Sequence, residues 1–388
     1  MNAQERTFAL KISLIMAARM LGLFMVFPVF SVYASNYQGT TAYLIGLAIG
    51  IYGLTQAVLQ IPFGYLSDKY GRKPLLVIGL LLFLLGSVIA AQSTHIIGVV
   101  VGRSLQGAGA ISAVLMAFLA DFVREEQRSK ANAFVGVQIG LAFMLSLLLG
   151  PVIAINFGLS GLFWSIAGLS LVALMVMTTL PHAQPKAQYS LSVDSIKQVL
   201  THNLLRLDFS VFTLHLVLTS GFVVLPLLML EHNIIQMSDN WKLYLPVIVL
   251  SFAGMLPLVI ISEKFKKTKP ILLLAIALLA ISQLLFYFLS LDYATFFILL
   301  TVFFIGFNAL EAMLPSQIAR TAVSDKRGLA MGIYATSQFL GAFVGGVFGG
   351  WIYATQGLNS VFLFTTLMII IWAIIMLKFQ QQNTREKK

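Results

Sequence analysis

The chain has 388 residues, of which 59% are hydrophobic and 10% charged, and it carries a formal net charge of +11. Soluble domains hold about 25% charged residues, so a soluble enzyme or nucleic-acid-binding protein of this length is excluded and a multi-pass membrane protein is indicated. Cys is absent and the five His show no metal-ligand spacing, which removes disulfides, thiol catalysis and Cys/His metal centres; no cofactor is expected.

Apolar runs of about 18–25 residues are long enough, at ~1.5 Å per helical residue, to cross ~30 Å of hydrocarbon. They predict spans at 8–33, 42–65, 74–92, 96–120, 131–155, 160–180, 206–230, 241–262, 270–290, 293–319, 329–354 and 359–378. The polar start Met1–Lys11 and the long first run, which lacks a small-residue cleavage site, argue against a cleaved leader.

Basic residues cluster at alternate span ends. One side collects Lys69, Arg72 and Lys73, then Arg124, Arg128 and Lys130, then Lys186, Lys197 and Arg206, then Lys264, Lys266, Lys267 and Lys269, then Arg320, Lys326 and Arg327, and finally Lys378, Arg385, Lys387 and Lys388. The other side has Lys242 with Glu231, Asp239 and Asp292. This asymmetry places both termini in the cytoplasm and accounts for the net charge as topology rather than nucleic-acid affinity.

The longest polar stretch, Pro181–Asn203, divides the chain. The expected domains are an N-terminal six-helix bundle (1–180), a cytoplasmic linker (181–205) and a C-terminal six-helix bundle with a short basic tail (206–388). Ser192–Leu200 in the linker can form an amphipathic helix on the inner surface. The halves read as a repeat. Ser67-Asp68-Lys69-Tyr70-Gly71-Arg72-Lys73-Pro74 follows the second span and Ser262-Glu263-Lys264-Phe265-Lys266-Lys267-Thr268-Lys269-Pro270 the eighth; Arg128-x-x-Ala131 opens the fifth and Arg327-x-x-Ala330 the eleventh. Duplicated six-helix halves are a transporter architecture. The fold class expected is an all-α membrane protein of twelve transmembrane helices in two pseudo-symmetric bundles.

The loop Gly64-Tyr65-Leu66-Ser67-Asp68-Lys69-Tyr70-Gly71-Arg72-Lys73-Pro74 resembles the signature loop of the major facilitator superfamily. Arg103-x-x-Gln106-Gly107-x-Gly109 in the fourth span is similar to the second signature, seen in that family's proton-coupled drug antiporters. Ile49-Gly50-Ile51-Tyr52-Gly53-Leu54-Thr55-Gln56-Ala57 and Tyr334-Ala335-Thr336-Ser337-Gln338-Phe339-Leu340-Gly341 resemble the YajR-type bacterial branch, whose soluble C-terminal domain is not expected here. Of the fifth-span antiporter motif, Gly150-Pro151 is present, while Ser146, Ala154 and Ile155 stand where the family prefers Gly.

Four intramembrane ionisable residues are candidates for proton coupling. Glu311 lies inside the tenth span, where a carboxylate costs several kcal/mol unless protonated, paired or hydrated. His215 in the seventh span lies at a similar depth, about 12–14 Å from the inner end, and an imidazole there can share or relay a proton. The resemblance places both on cavity-lining helices. Asp208, nearer the start of that span, is expected at the interface. Arg103 carries the family's part in proton coupling by resemblance, and Arg19 in the first span can hold an anionic group or a carboxylate; hydrogen bonds to helix carbonyls and glutamines are the alternative for both.

The resemblance further implies an inner gate of Gly64, Asp68, Gly71, Arg72 and Asp121. In it Arg72 pairs with Asp121 and Asp68 meets the start of the eleventh span. Glycines 46, 50 and 53, 136 and 140, and 341, 345, 346, 349 and 350 permit close helix contact, for sliding between halves, for static packing, or for both. Gln56, Asn308 and Gln338 (like Gln60 and Gln138) either bond across helices or touch substrate.

The expected function is a proton-coupled exporter of small amphipathic or drug-like compounds, working by alternating access in the bacterial inner membrane and as a monomer. A proton symporter or uniporter for a sugar or amino acid, and a non-transporting sensor or lipid-handling protein, are the alternatives. The 30 Phe and 15 Met suit a pocket tolerant of varied apolar substrates. No nucleophile–base pair or phosphate loop is present, so no enzymatic activity is expected.

Overall fold

In the computed structural model, residues 1–181, 197–323 and 326–379 are described. The expected amphipathic helix at Ser192–Leu200 falls mostly outside them, as do Lys186, Arg385, Lys387 and Lys388. Chain contacts resolve two compact units, Met1–Tyr189 and Ser190–Lys388.

The first unit opens with α1 (Ala3–Phe24), capped by Asn2, whose side chain accepts the Glu5 N–H while the Glu5 carboxylate accepts the Asn2 N–H. The first predicted span ran on to residue 33. The helix instead stops before Pro28, which lacks an N–H to continue the ladder, and resumes as one turn at Phe30–Tyr33. α2 (Ala42–Tyr70) and α3 (Arg72–Gln92) meet at Gly71, whose φ of 95° suits only glycine. α4 (Ile96–Phe122) is broken at Gly109–Ile111. There Ala110 N–H bonds to Ala108 O and Ile111 N–H to Gly109 O, both at 2.8 Å, in two successive three-residue turns.

The next helical run, Arg128–Thr178, is one segment with a non-helical residue at Gly158 (φ 65°, ψ −172°). A straight helix of that length would be about 75 Å long. Its two ends nevertheless touch the same end of α1: the Met1 ammonium bonds Gln127 Oε1 at 3.0 Å and Lys11 Nζ bonds Thr179 O at 3.3 Å. The segment is therefore a hairpin, α5 (128–157) and α6 (159–178). Counted this way, the apolar helices among the described residues number twelve, as expected.

The second unit contains α7 (His202–Glu231), α8 (Asn240–Lys264), α9 (Thr268–Phe288), α10 (Tyr293–Thr321), α11 (Arg327–Gln356) and α12 (Leu358–Leu377). Asp292 caps α10; its Oδ1 accepts the Thr295 N–H at 2.8 Å, which holds the carboxyl below its usual pKa. The packing of the two units matches. α2 lies on α4 as α8 lies on α10, α3 on α4 as α9 on α10, α3 on the α5–α6 hairpin as α9 on α12, and α1 on that hairpin as α7 on α11. That correspondence is the structural form of the sequence repeat.

α7 and α11 make the most extensive pair of the second unit. A Cβ on Gly341 or Gly345 would overlap the backbone at Phe212 or Leu216, and one on Gly349 would press tightly, at 3.0 Å, on Ser220 Cα. These three glycines thus serve static packing within one unit. Together they form a close seam between α7 and α11. The Ser220 hydroxyl donates to Gly345 O at 2.8 Å across it.

Candidate functional site: two intramembrane clusters and a loop ion-pair network

In the second unit, α7, α10 and α11 bring Glu311, His215 and Gln338 together. The His215 Nε2 is 3.8 Å from Glu311 Oε2, with the histidine side chain 9% and the glutamate 39% exposed. His215 Nδ1 is 3.2 Å from Val211 O, one turn back on α7, and Nε2 is 2.7 Å from Gln338 Nε2. With the amide so oriented, the neutral tautomer follows: Nδ1–H donates to the carbonyl, and the Nε2 lone pair accepts from the Gln338 amide. Phe307 presents an edge-on ring to the imidazole at 5.9 Å. Glu311 Oε2 has no hydrogen-bond partner.

Two further groups join this cluster. Tyr334, one turn before Gln338 on α11, is buried, lies in the electrostatic field of both Glu311 and Asp208, and has an unpartnered hydroxyl. Asp208, near the start of α7, is 6% exposed with Oδ1 unpartnered, so neighbouring side chains cover it. Counting residues from the helix start gives depth along α7 but not its cover, which comes from the packed neighbours. Neither Tyr334 nor the burial of Asp208 was legible in a single sequence. Asn308, three residues before Glu311 on α10, donates to Ser251 Oγ of α8 at 3.1 Å.

The first unit buries Arg19 and Arg103 at 1% and 0% exposure. Arg19 donates to Ser112 Oγ at 2.6 Å and to Gln56 Oε1, and Gln56 donates on to Gln60 Oε1 at 3.2 Å. Arg103 donates to Ala48 O at 3.3 Å and Gln106 Oε1 at 2.8 Å, and Gln106 to Ser87 Oγ at 2.8 Å. Both guanidinium carbons lie over the Tyr52 ring, at 5.7 and 5.1 Å. Among the described residues no carboxylate pairs with either arginine; neutral acceptors and one aromatic face support both. Gln56 therefore binds Arg19, and Gln338 binds His215.

The α2–α3 loop forms the third group. Arg72 bonds Asp68 Oδ1 at 2.5 Å, Asp121 Oδ2 at 3.1 Å and Ser67 Oγ at 2.7 Å, and Ser67 donates to Gly64 O at 2.7 Å. The Arg72 and Asp121 side chains are 12% and 14% exposed, that of Asp68 35%. Gly71 supplies the positive φ that aims Arg72 back at α2, whereas a Cβ on Gly64 would meet no atom within 4 Å in its unit.

Comparison with known proteins agrees with this architecture. The chain is 39% identical over 380 residues to the inner membrane transport protein YajR of Escherichia coli strain K12, covering 97% of this chain and 84% of that protein. It is 25% identical over 378 residues to multidrug resistance protein MdtH of Photorhabdus laumondii, covering 95% and 92%. Among solved structures, the bacterial homolog of the human lysosomal transporter Spinster, inward-facing and occupied, superposes with a TM-score of 0.82 at 13% identity, covering 99% of this chain and all of that one. The family model of the Major Facilitator Superfamily matches residues 12–319 and again 207–388. Twelve apolar helices in two matching units and this family match together make the chain a multi-pass membrane transporter of the Major Facilitator Superfamily.

Proposed function

We propose that the chain is a proton-coupled exporter of small amphipathic or drug-like compounds, working by alternating access, with both termini in the cytoplasm of a bacterial inner membrane. One observation carries the coupling: a glutamate inside a membrane-spanning helix, with one oxygen unbonded, 3.8 Å from an imidazole. A carboxylate at that depth is stable only protonated, paired or wet, so its charge responds to whichever side supplies water. The multidrug-resistance name of the MdtH relative supports the substrate class.

A proton arriving at His215 Nε2 takes the lone pair that now accepts the Gln338 amide. The N–H of Gln338 then faces an N–H, and the amide must turn to present Oε1 or leave. The imidazolium gains Glu311 as counter-ion. Proton binding thereby changes contacts among α7, α10 and α11 at once, which is the differential interaction a conformational step requires. Each proton crossing with the potential releases about 2.3 kcal/mol per 100 mV. Arg19 and Arg103 serve as fixed charges of the first unit, and the Asp68–Arg72–Asp121 network serves as the inner gate.

Proteoliposomes loaded with ethidium, a planar amphipathic cation, test the reading. An imposed pH gradient should drive ethidium against its concentration gradient, and an opposite sign of proton flux would establish symport instead. Absence of proton-linked movement for ethidium and for neutral and anionic dyes would overturn it.

A further inference from the structure

A second feature of the C-terminal unit lies away from the titratable cluster. A cavity of about 720 Å³ opens at the end where α7 and α9 begin and α10 and α12 stop. Arg206 of α7, Lys269 of α9 and Lys378 after α12 line it, with His202 beside them, and among the described residues no carboxylate does. Arg206 donates to Asn203 Oδ1 at 3.0 Å and Lys269 Nζ to Leu377 O at 2.6 Å. These partners are dipoles, and among the described residues none of the three cations forms an ion pair. The first turn of the thirty-residue α7, capped by Thr201, faces the same space and adds its positive end. Leu204, Val323 and Phe379 give the wall an apolar side.

Topology requires only an excess of basic residues in the loops on one side. It does not require cations from three helices to converge on one cavity in which no described carboxylate faces them. We propose that this cavity is a binding site for a phosphate-bearing anion. Convergent ammonium and guanidinium groups match the several oxygens of a phosphate, and the apolar wall matches a glycerol or acyl portion attached to it. Two sources offer this chemistry at a membrane end: the headgroup of an anionic phospholipid and a soluble phosphate ester. The site is separate from Glu311 and His215 and holds whether or not transport is proton-coupled.

The test uses the full-length protein in neutral detergent. Native mass spectrometry after addition of phosphatidylglycerol or phosphatidylcholine reads lipid retention, and the shift in Tm with inorganic phosphate or glycerol 3-phosphate reads the soluble source. The wild type should retain phosphatidylglycerol over phosphatidylcholine, or be stabilised by the soluble phosphates. Which of the two occurs identifies the source. Arg206→Gln/Lys269→Gln/Lys378→Gln should weaken that binding on the order of a hundredfold, about fivefold per charge, and raising salt should weaken it in the wild type. If the triple variant does not fold, the single variants report the fivefold steps. Equal retention of the two lipids with no phosphate-induced shift in Tm, or equal binding by wild type and variants, overturns the proposal.

Discussion

The lone pair of His215 Nε2 is occupied by Gln338 at 2.7 Å, while Glu311, 3.8 Å away, waits without a hydrogen bond on Oε2. In the proposed coupling, the amide holds the place that a proton would claim, and the carboxylate is the counter-ion of the cation that would result.

Glu311→Gln keeps the size and polarity of the side chain and removes its charge. pH-driven ethidium efflux should fall at least about tenfold, as expected for loss of a group acting in proton transfer, with Tm in detergent unchanged. Glu311→Asp should retain part of the activity. Efflux in the Gln variant that still tracks the pH gradient would remove Glu311 from the coupling step.

Arg72 joins Asp121, Asp68 and Ser67. Arg72→Ala leaves the mostly buried Asp121 carboxylate without its cation and should destabilise the first unit by about 1–3 kcal/mol. Arg72→Lys should recover little, because one ammonium cannot reproduce the forked contacts. A double-mutant cycle with Asp121→Ala should return a coupling energy of about 0.5–3 kcal/mol; additive effects would mean that the pair contributes nothing.

Gly345→Ala places a methyl on the Leu216 backbone and should cost about 1–3 kcal/mol through overpacking. Gly332→Ala on the same helix meets no atom within 4 Å and should be neutral or slightly stabilising by helix propensity. Thermal unfolding of the two variants side by side separates backbone crowding from a general intolerance of substitution in α11.

Gly158→Ala tests the hairpin. Open space surrounds the site, but φ is +65° with ψ near 180°, a region essentially closed to side chains. The substitution should cost about 1–3 kcal/mol, whereas Gly168→Ala, helical and also in open space, should cost nothing. Equal Tm values for the two would show that the reversal does not depend on glycine.

The spans were legible because hydrocarbon imposes a length and the apolar runs obey it. The breaks after α1 and within α4 were passed over, since Met25–Val29 and Gly109–Ile111 are as apolar as their surroundings and only Pro28 and Gly109 mark them. The Arg103–Gln106 bond follows from their spacing of three on one helix. The Arg19 partners Ser112 and Gln56 lie 93 and 37 residues away and emerge only from packing. The same holds for Tyr334, which nothing in its local sequence distinguishes from a core aromatic. The cover over Asp208 was likewise hidden, because distance from a helix end says nothing about which neighbours pack on it.

The glycine seam along α7 and α11 acts as a mechanical key. Three notches, each about one turn from the next, hold the α7 and α11 main chains too close for a side chain to sit between them without a shift. Gln338 is thereby delivered to His215 by the alignment of main chains above it, before any hydrogen bond forms. Altering the imidazole changes the chemistry of that meeting point while the notches continue to hold both helices in step.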